Sequence, residues 1–261
     1  MSSRQRGQYS GIIDHLEIEL RAYVPTLRKA GTWRSADLGP SDYALIFDTE
    51  TTTDAAQTLK FGVYQVRKGD ALWEAGFFLN PDILNPGEMA EIRFYSAKIN
   101  YRCTPVAEFV EDVFFKIGYD LRALVIGLNL PFDISRLAIR HGASRGKMMK
   151  GGFSFQLSPQ RYWPNIQIKH LSSRVSLMRC TSRPGRVAGR GMRRRKVKLP
   201  PQPGYFLDVR TFAAALTSRS FGLGSLADFL GTETRKIDTD EHGKALTGEG
   251  IGWRIASRGY Q

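Results

Sequence analysis

The chain has 261 residues, with 38 Lys and Arg against 25 Asp and Glu and a net charge of +13; its 42% hydrophobic and 11% aromatic residues can bury a core, which excludes wholesale disorder. No stretch approaches the roughly 18 consecutive apolar residues of a membrane span, and the opening Met-Ser-Ser-Arg-Gln-Arg lacks the apolar core of a signal peptide. Two cysteines, Cys103 and Cys180, exclude a disulfide scaffold and a four-cysteine zinc site, so the expectation is a soluble cytoplasmic protein with reduced thiols and no membrane association.

In chain order, Ile12, Ile13, Leu16 and Leu20 suggest one helix in an N-terminal appendage, residues 1–40, of unassigned role. Ala44-Leu-Ile-Phe-Asp-Thr-Glu50 is a compact apolar run ending in acids. Phe61 to Val66 and Ala71 to Leu79 are predicted strands joined by Lys68-Gly-Asp70, giving an opening three-stranded meander. Thr104 as N-cap and Pro105 at the first helical position introduce Val106, Phe109, Val110, Val113, Phe114 and Ile117, which share one helical face. Leu124-Val-Ile-Gly127 is predicted as a buried strand, and Pro131 opens a helix with Ile134, Leu137 and Ala138 inward.

Alternation in Phe153-Ser-Phe-Gln-Leu157, Ile166 to His170 and Val175 to Met178 predicts inserted antiparallel strands. Gly204 to Val209 returns to a strand, followed by a helix over Thr211 to Leu216. A last helix has Ser225 as N-cap and Asp228 three residues on, and Gly231 ends it. The order describes an α/β fold, a mixed β-sheet flanked by helices with an inserted β-hairpin region. One domain is expected over residues 41–261, with a basic insertion at about 144–203.

Charge is distributed unevenly. Residues 134–207 hold 17 basic residues and no acidic one, leaving 21 basic against 25 acidic residues elsewhere. Nucleic acid is the expected partner of such a segment, because a phosphate backbone is gripped by cations without sequence preference. The densest part, Arg183 to Lys198, includes Arg190, Arg193, Arg194, Arg195, Lys196 and Lys198 among Gly and Pro residues. A solvated hairpin tip is the competing reading of that run. The aromatics Phe153, Phe155, Tyr162 and Trp163 either stack on unpaired bases or pack the inserted sheet.

Two acidic clusters follow buried strands. Asp48 and Glu50 are two apart, so both carboxylates project from one strand face. Asp133 follows the strand ending at Gly127, in Asn129-Leu-Pro-Phe132-Asp133, in the first turn of a helix. Each alone suits a turn or a cap. If the two strands are neighbours the carboxylates converge, and like charges crowded against apolar walls need a proton or a hard cation such as Mg2+ or Mn2+. The four histidines, His15, His141, His170 and His242, are scattered and suggest no zinc site.

Phe-Asp48-Thr-Glu50-Thr and Asn129-Leu-Pro-Phe132-Asp133, about 80 residues apart, resemble the first two motifs of the DEDD superfamily of 3'-to-5' exonucleases, especially the proofreading domains of family B DNA polymerases. The resemblance runs from about Ala44 to His242 and includes Tyr205 to Ala215 and Ser225 to Leu230. It implies a ribonuclease H-like fold, a two-metal site with Asp48, Glu50 and Asp133 as ligands and catalytic residues, and single-stranded DNA as substrate. By the same resemblance Asn129 lines the strand-end pocket and Phe132 packs beside it, both contributing to nucleic-acid binding.

The family's third motif, a Tyr or His followed four residues later by an Asp, has no counterpart after Leu226. Trp253 and Ser257 stand where it aligns by length, and Asp208, Asp238 and Asp240 are the candidates to replace the missing acid. The chain therefore reads as an exonuclease-like domain with an incomplete site. The alternatives are a non-catalytic nucleic-acid-binding module, or an N-terminal fragment of a family B-like DNA polymerase that is inert without its missing part.

Overall fold

A computed structural model describes residues 39–181 and 203–232. The predicted N-terminal helix, the basic run from Arg183 to Lys198 and the chain after Thr232 lie outside the described residues.

The meander forms as expected: β1 (Tyr43–Thr51), β2 (Leu59–Lys68) and β3 (Ala71–Leu79) pair antiparallel. Gly69 turns β2 into β3 at φ +55°, a conformation a side chain disfavours. Along β1 the burial alternates, with Leu45, Phe47 and Thr49 buried and Ile46, Asp48 and Glu50 on the more open face. Beyond Leu79 a helix α1 (Pro86–Lys98) and a short strand β4 (Arg102–Pro105) follow, neither of which the sequence pattern predicts. The helix buries only Glu88, Ile92 and Ser96, so it has no apolar stripe to detect. Its signal is a capping box: the Asn85 side chain accepts from the Glu88 N–H at 3.0 Å, and the Glu88 carboxylate accepts from the Asn85 N–H at 3.0 Å.

The next helix starts as a one-turn α2 (Val106–Glu108) and widens into a π-helix over Phe109–Asp120. Thr104 is therefore not its N-cap; it belongs to β4, and Pro105 occupies the cap position. Of the predicted face, Phe109, Val110, Val113 and Phe114 are buried, while Val106 and Ile117 are only partly so. The wider turn adds Phe115, Gly118 and Tyr119 to the buried set, because i→i+5 winding moves the inward face off a 3.6-residue period. Phe109 stacks on Phe78 at 4.0 Å between ring centroids, and Phe47 meets Phe109 and Phe114 at 5.9 and 6.0 Å. A fully buried ring of this size contributes about 2–3 kcal/mol by burial alone. On the opposite sheet face Phe61, Phe77 and Leu79 pack with Leu84 and Ile92, so helices cover both faces.

Strand β5 (Leu124–Gly127) lies parallel to β1, and β10 (Tyr205–Asp208) lies parallel to β5; the sheet order is β10-β5-β1-β2-β3-β4. Helix α3 (Leu130–Arg136) follows β5 directly, with Ile134 and Leu137 buried. The insertion is a separate four-stranded antiparallel sheet, β6 (Arg140–Ala143), β7 (Phe153–Gln156), β8 (Ile166–Ser172) and β9 (Val175–Cys180). It begins at Arg140, earlier than the sequence places it, because the exposed β6 carries no alternation. Helices α4 (Val209–Thr217) and α5 (Leu223–Leu230) close the described chain. Gly222 is the cap of α5 and Ser225 sits at its third position, donating back to the Gly222 carbonyl, while Gly231 ends the helix at φ +65° as expected. Neither cysteine is in a disulfide, and no described helix is long and apolar enough to cross a membrane.

Candidate metal centre at the strand ends

The parallel register of β1 and β5 pairs Ala44 with Leu124 and Ile46 with Ile126, so both strands run out at the same sheet edge. β1 delivers Asp48 and Glu50 there on one face. β5 turns at Gly127 into α3, which delivers Asp133 in its first turn. Asn129 is the N-cap: its carbonyl accepts from the N–H groups of Phe132 and Asp133 at 2.9 and 3.2 Å, and its side chain makes no cap bond.

Asp133 is 2% exposed. Its Oδ1 accepts a hydrogen bond from the Thr49 hydroxyl at 2.6 Å, whereas Oδ2 is buried with no hydrogen-bond partner. A Cβ placed on Gly127 would lie 3.4 Å from that Oδ2 and 3.3 Å from the Phe47 carbonyl oxygen, so the absence of a side chain at 127 keeps this spot clear. Burial pushes the Asp133 carboxyl up to about 7; hydrogen bonds from Thr49 oppose the rise, and the charges of Asp48 and Asp208 add to it. A buried carboxylate oxygen in this position calls for a proton or a cation, and a carboxylate is a hard donor that suits Mg2+ or Mn2+. Among the described residues, however, no three His, Cys, Asp or Glu side chains are gathered as a complete ligand set.

The shifted carboxyl makes a prediction in metal-free buffer. A carboxyl with a raised folded-state value favours folding while protonated, so this contribution is present below about pH 4 and is lost as pH rises towards 7. Asp133→Asn removes it, so the stability difference between wild type and variant should drift by roughly a few kcal/mol against the wild type across that window. Urea melts in EDTA at pH 4 to 8 measure it, and a constant difference would contradict the burial of a titrating Asp133.

Asp208 ends β10 opposite Gly127, which brings it to the same edge. A candidate to replace the missing acid, it engages both its oxygens in hydrogen bonds. Oδ1 accepts from the Leu130 N–H at 2.9 Å, and Oδ2 accepts from the Thr211 N–H at 3.2 Å and from the Thr211 hydroxyl. One buried carboxylate thus caps the first turns of both α3 and α4 and sets where Asp133 stands. The other candidates, Asp238 and Asp240, lie outside the described residues, as do Trp253 and Ser257.

Two further contributors carry no sequence signal beyond their neighbourhood. Thr49, between the two acids of β1, faces the opposite side and holds Asp133. Arg136 donates to the carbonyl oxygens of Ala56 and Gln57 at 3.1 and 2.9 Å and lies 4.7 Å over the Phe132 ring, tying the β1–β2 loop to α3. Gly62, opposite Thr49 in β2, is required by packing: a Cβ there would come within 2.0 Å of the Phe78 ring.

The aromatics of the insertion divide. Trp163 is packed, stacked on Phe115 at 4.7 Å with its indole N–H donating to Glu111 at 2.6 Å, and Phe155 lies against the core. Phe153 and Tyr162 are exposed. The residues Arg190, Arg193, Arg194, Arg195, Lys196 and Lys198 lie outside the described residues. Comparison with protein families, curated proteins and solved structures finds no match to this chain.

Proposed function

We propose that this chain is a ribonuclease H-like, metal-dependent 3'-to-5' exonuclease-like domain for single-stranded DNA ends, with Asp48, Glu50 and Asp133 as the ligands for Mg2+ or Mn2+. The observation that carries this reading is the buried, unpartnered Oδ2 of Asp133, which feels the charge of Asp48, at the common end of two parallel strands. Ligands and substrates of open α/β sheets are held at the carboxyl ends of such strands. When bound, divalent ions supply the hydroxide, the charge sink and the leaving-oxygen stabilisation that phosphodiester hydrolysis needs.

The chain's own residues prepare that chemistry. Thr49 occupies one oxygen of Asp133, so the other is the one presented. Asp208 fixes the start of α3 and adds negative potential without donating an oxygen. Phe132, with Arg136 over its ring, stands on the helix that carries Asp133 and offers a surface for a strand end.

A second reading, a nucleic-acid-binding module without catalysis, is favoured by the lack of a complete ligand set among the described residues and of a third-motif pair in the sequence. The first test is thermodynamic. Mn2+ at a hundredfold excess over its dissociation constant should stabilise the native state by about 2.7 kcal/mol. Asp48→Ala should abolish the shift in a thermal melt, and an equal metal response in both proteins would show that the ion binds elsewhere.

A further inference from the structure

The outer sheet carries polar chemistry that the metal centre does not use. Strand register places Arg140 opposite Gln156, Ser154 opposite Gln167, and Gln167 opposite Arg179, all on one face. Gln167 is 5% exposed and receives the Arg179 Nε–H at 2.8 Å while donating to the Arg145 carbonyl at 3.3 Å, so the Arg179 side chain is held rather than free to sweep. At the end of this face a cavity of about 180 Å³ opens, lined by Gln156, Ser158, Gln160, Arg161, Trp163 and Asn165. Among the described residues, Arg140, Arg161 and Arg179 have no carboxylate partner within 4.0 Å.

From this juxtaposition we infer that the cavity is a nucleotide subsite, taking one base of a single strand against its lining while Arg140 and Arg179 of the adjoining face hold its phosphates. The inference deepens the function proposed above and rests on its reading of the ligand as nucleic acid. Three observations select this ligand. The cavity is well below the roughly 300 Å³ of a typical small-molecule site, so it takes one ring rather than a whole nucleotide. It carries three side-chain amides: Gln156 and Asn165 each give one N–H to the chain, to the Ser158 carbonyl at 2.9 Å and the Ser154 hydroxyl at 3.4 Å, which orients their remaining N–H and carbonyl oxygen, and Gln160 adds a third donor beside an acceptor, the pattern that matches base edges. The strands and loops around it contain no acidic residue from 134 to 207, which suits a polyanion and repels cations. The Glu111 carboxylate accepts hydrogen bonds from two residues of the lining, Ser158 and Trp163, and so is engaged within the protein.

Gln160 and Arg161 are exposed, so replacing both with Ala tests the subsite without disturbing the fold, which an unchanged thermal melt verifies. The probe is a fluorescent oligothymidine strand in EDTA, read by anisotropy beside the same strand carrying abasic sugars. The double variant should bind the intact strand about tenfold more weakly than wild type, and the two proteins should bind the abasic strand nearly alike. Equal affinity of wild type and variant for the intact strand would overturn the subsite and leave strand binding elsewhere standing. A loss of the same size on the abasic strand would overturn it too, by showing that Arg161 acts on phosphate alone. No binding by either protein would remove the subsite and the nucleic-acid reading together, whereas metal stabilisation and its loss in Asp48→Ala are read without any strand.

Discussion

Replacing Arg193, Arg194, Arg195 and Lys196 with Ser is expected to weaken single-stranded DNA binding by roughly two to three orders of magnitude at 0.1 M salt. Each phosphate contact to a single strand releases counterions worth about 0.7 in the slope of log affinity against log salt, so four contacts account for a change of about 2.8. The expectation follows from charge. These four cations belong to a stretch of 74 residues with no acid to neutralise them, so a polyanion meets an uncompensated field there. The melting temperature should stay unchanged, since solvated cations add little to folding. A slope equal to that of wild type would mean that the run is only a solvated surface, and the cations of the outer sheet would then carry the whole electrostatic contribution.

The parts of the fold legible in the sequence are those in which burial writes a period into the chain. β1, β2 and β3 alternate or run apolar because each is covered by helices, and Leu124 to Gly127 is apolar because it is an interior strand between two parallel neighbours. α1 was hidden for the converse reason. Ile92 is its one fully buried apolar side chain, with Met89 and Tyr95 only partly buried against the same cluster, and its Glu88 is tied to Lys60 at 2.8 Å, so packing leaves no fully buried stripe. The π-helical winding of 109–120 was equally hidden, since a face at a 3.6-residue period fits five of its residues and the three added ones, Phe115, Gly118 and Tyr119, carry no signal of a wider turn. β6 is exposed throughout and reads as loop.

In the candidate site the acids are visible because they terminate apolar runs; β1 and β5 are neighbours as that reading requires, but no three acidic side chains gather as a ligand group among the described residues. The supporting residues were not visible. Asp208 lies 75 residues beyond Asp133, and only the β10–β5 register brings its carboxylate to the Leu130 N–H. Thr49 carries no signal of its own between the two acids, yet its hydroxyl takes one oxygen of Asp133 and leaves the other without a hydrogen-bond partner. Such roles depend on long-range register, which a single sequence does not encode as a local pattern.

The release of mononucleotides from the 3' end of a labelled single strand in Mn2+ tests the central claim most directly. Catalysis depends on metal geometry more steeply than binding does, so a site short of one carboxylate should bind strands firmly and cleave them slowly. Glu50→Ala is the discriminating variant: it stands on the same face of β1 as Asp48, and its removal leaves Asp133 and the Asp208 clamp in place. The account predicts slow release by wild type, none in EDTA and none by Glu50→Ala, with strand affinity in EDTA equal in the two proteins. Release that continues in EDTA, or that is undiminished in Glu50→Ala, would contradict it.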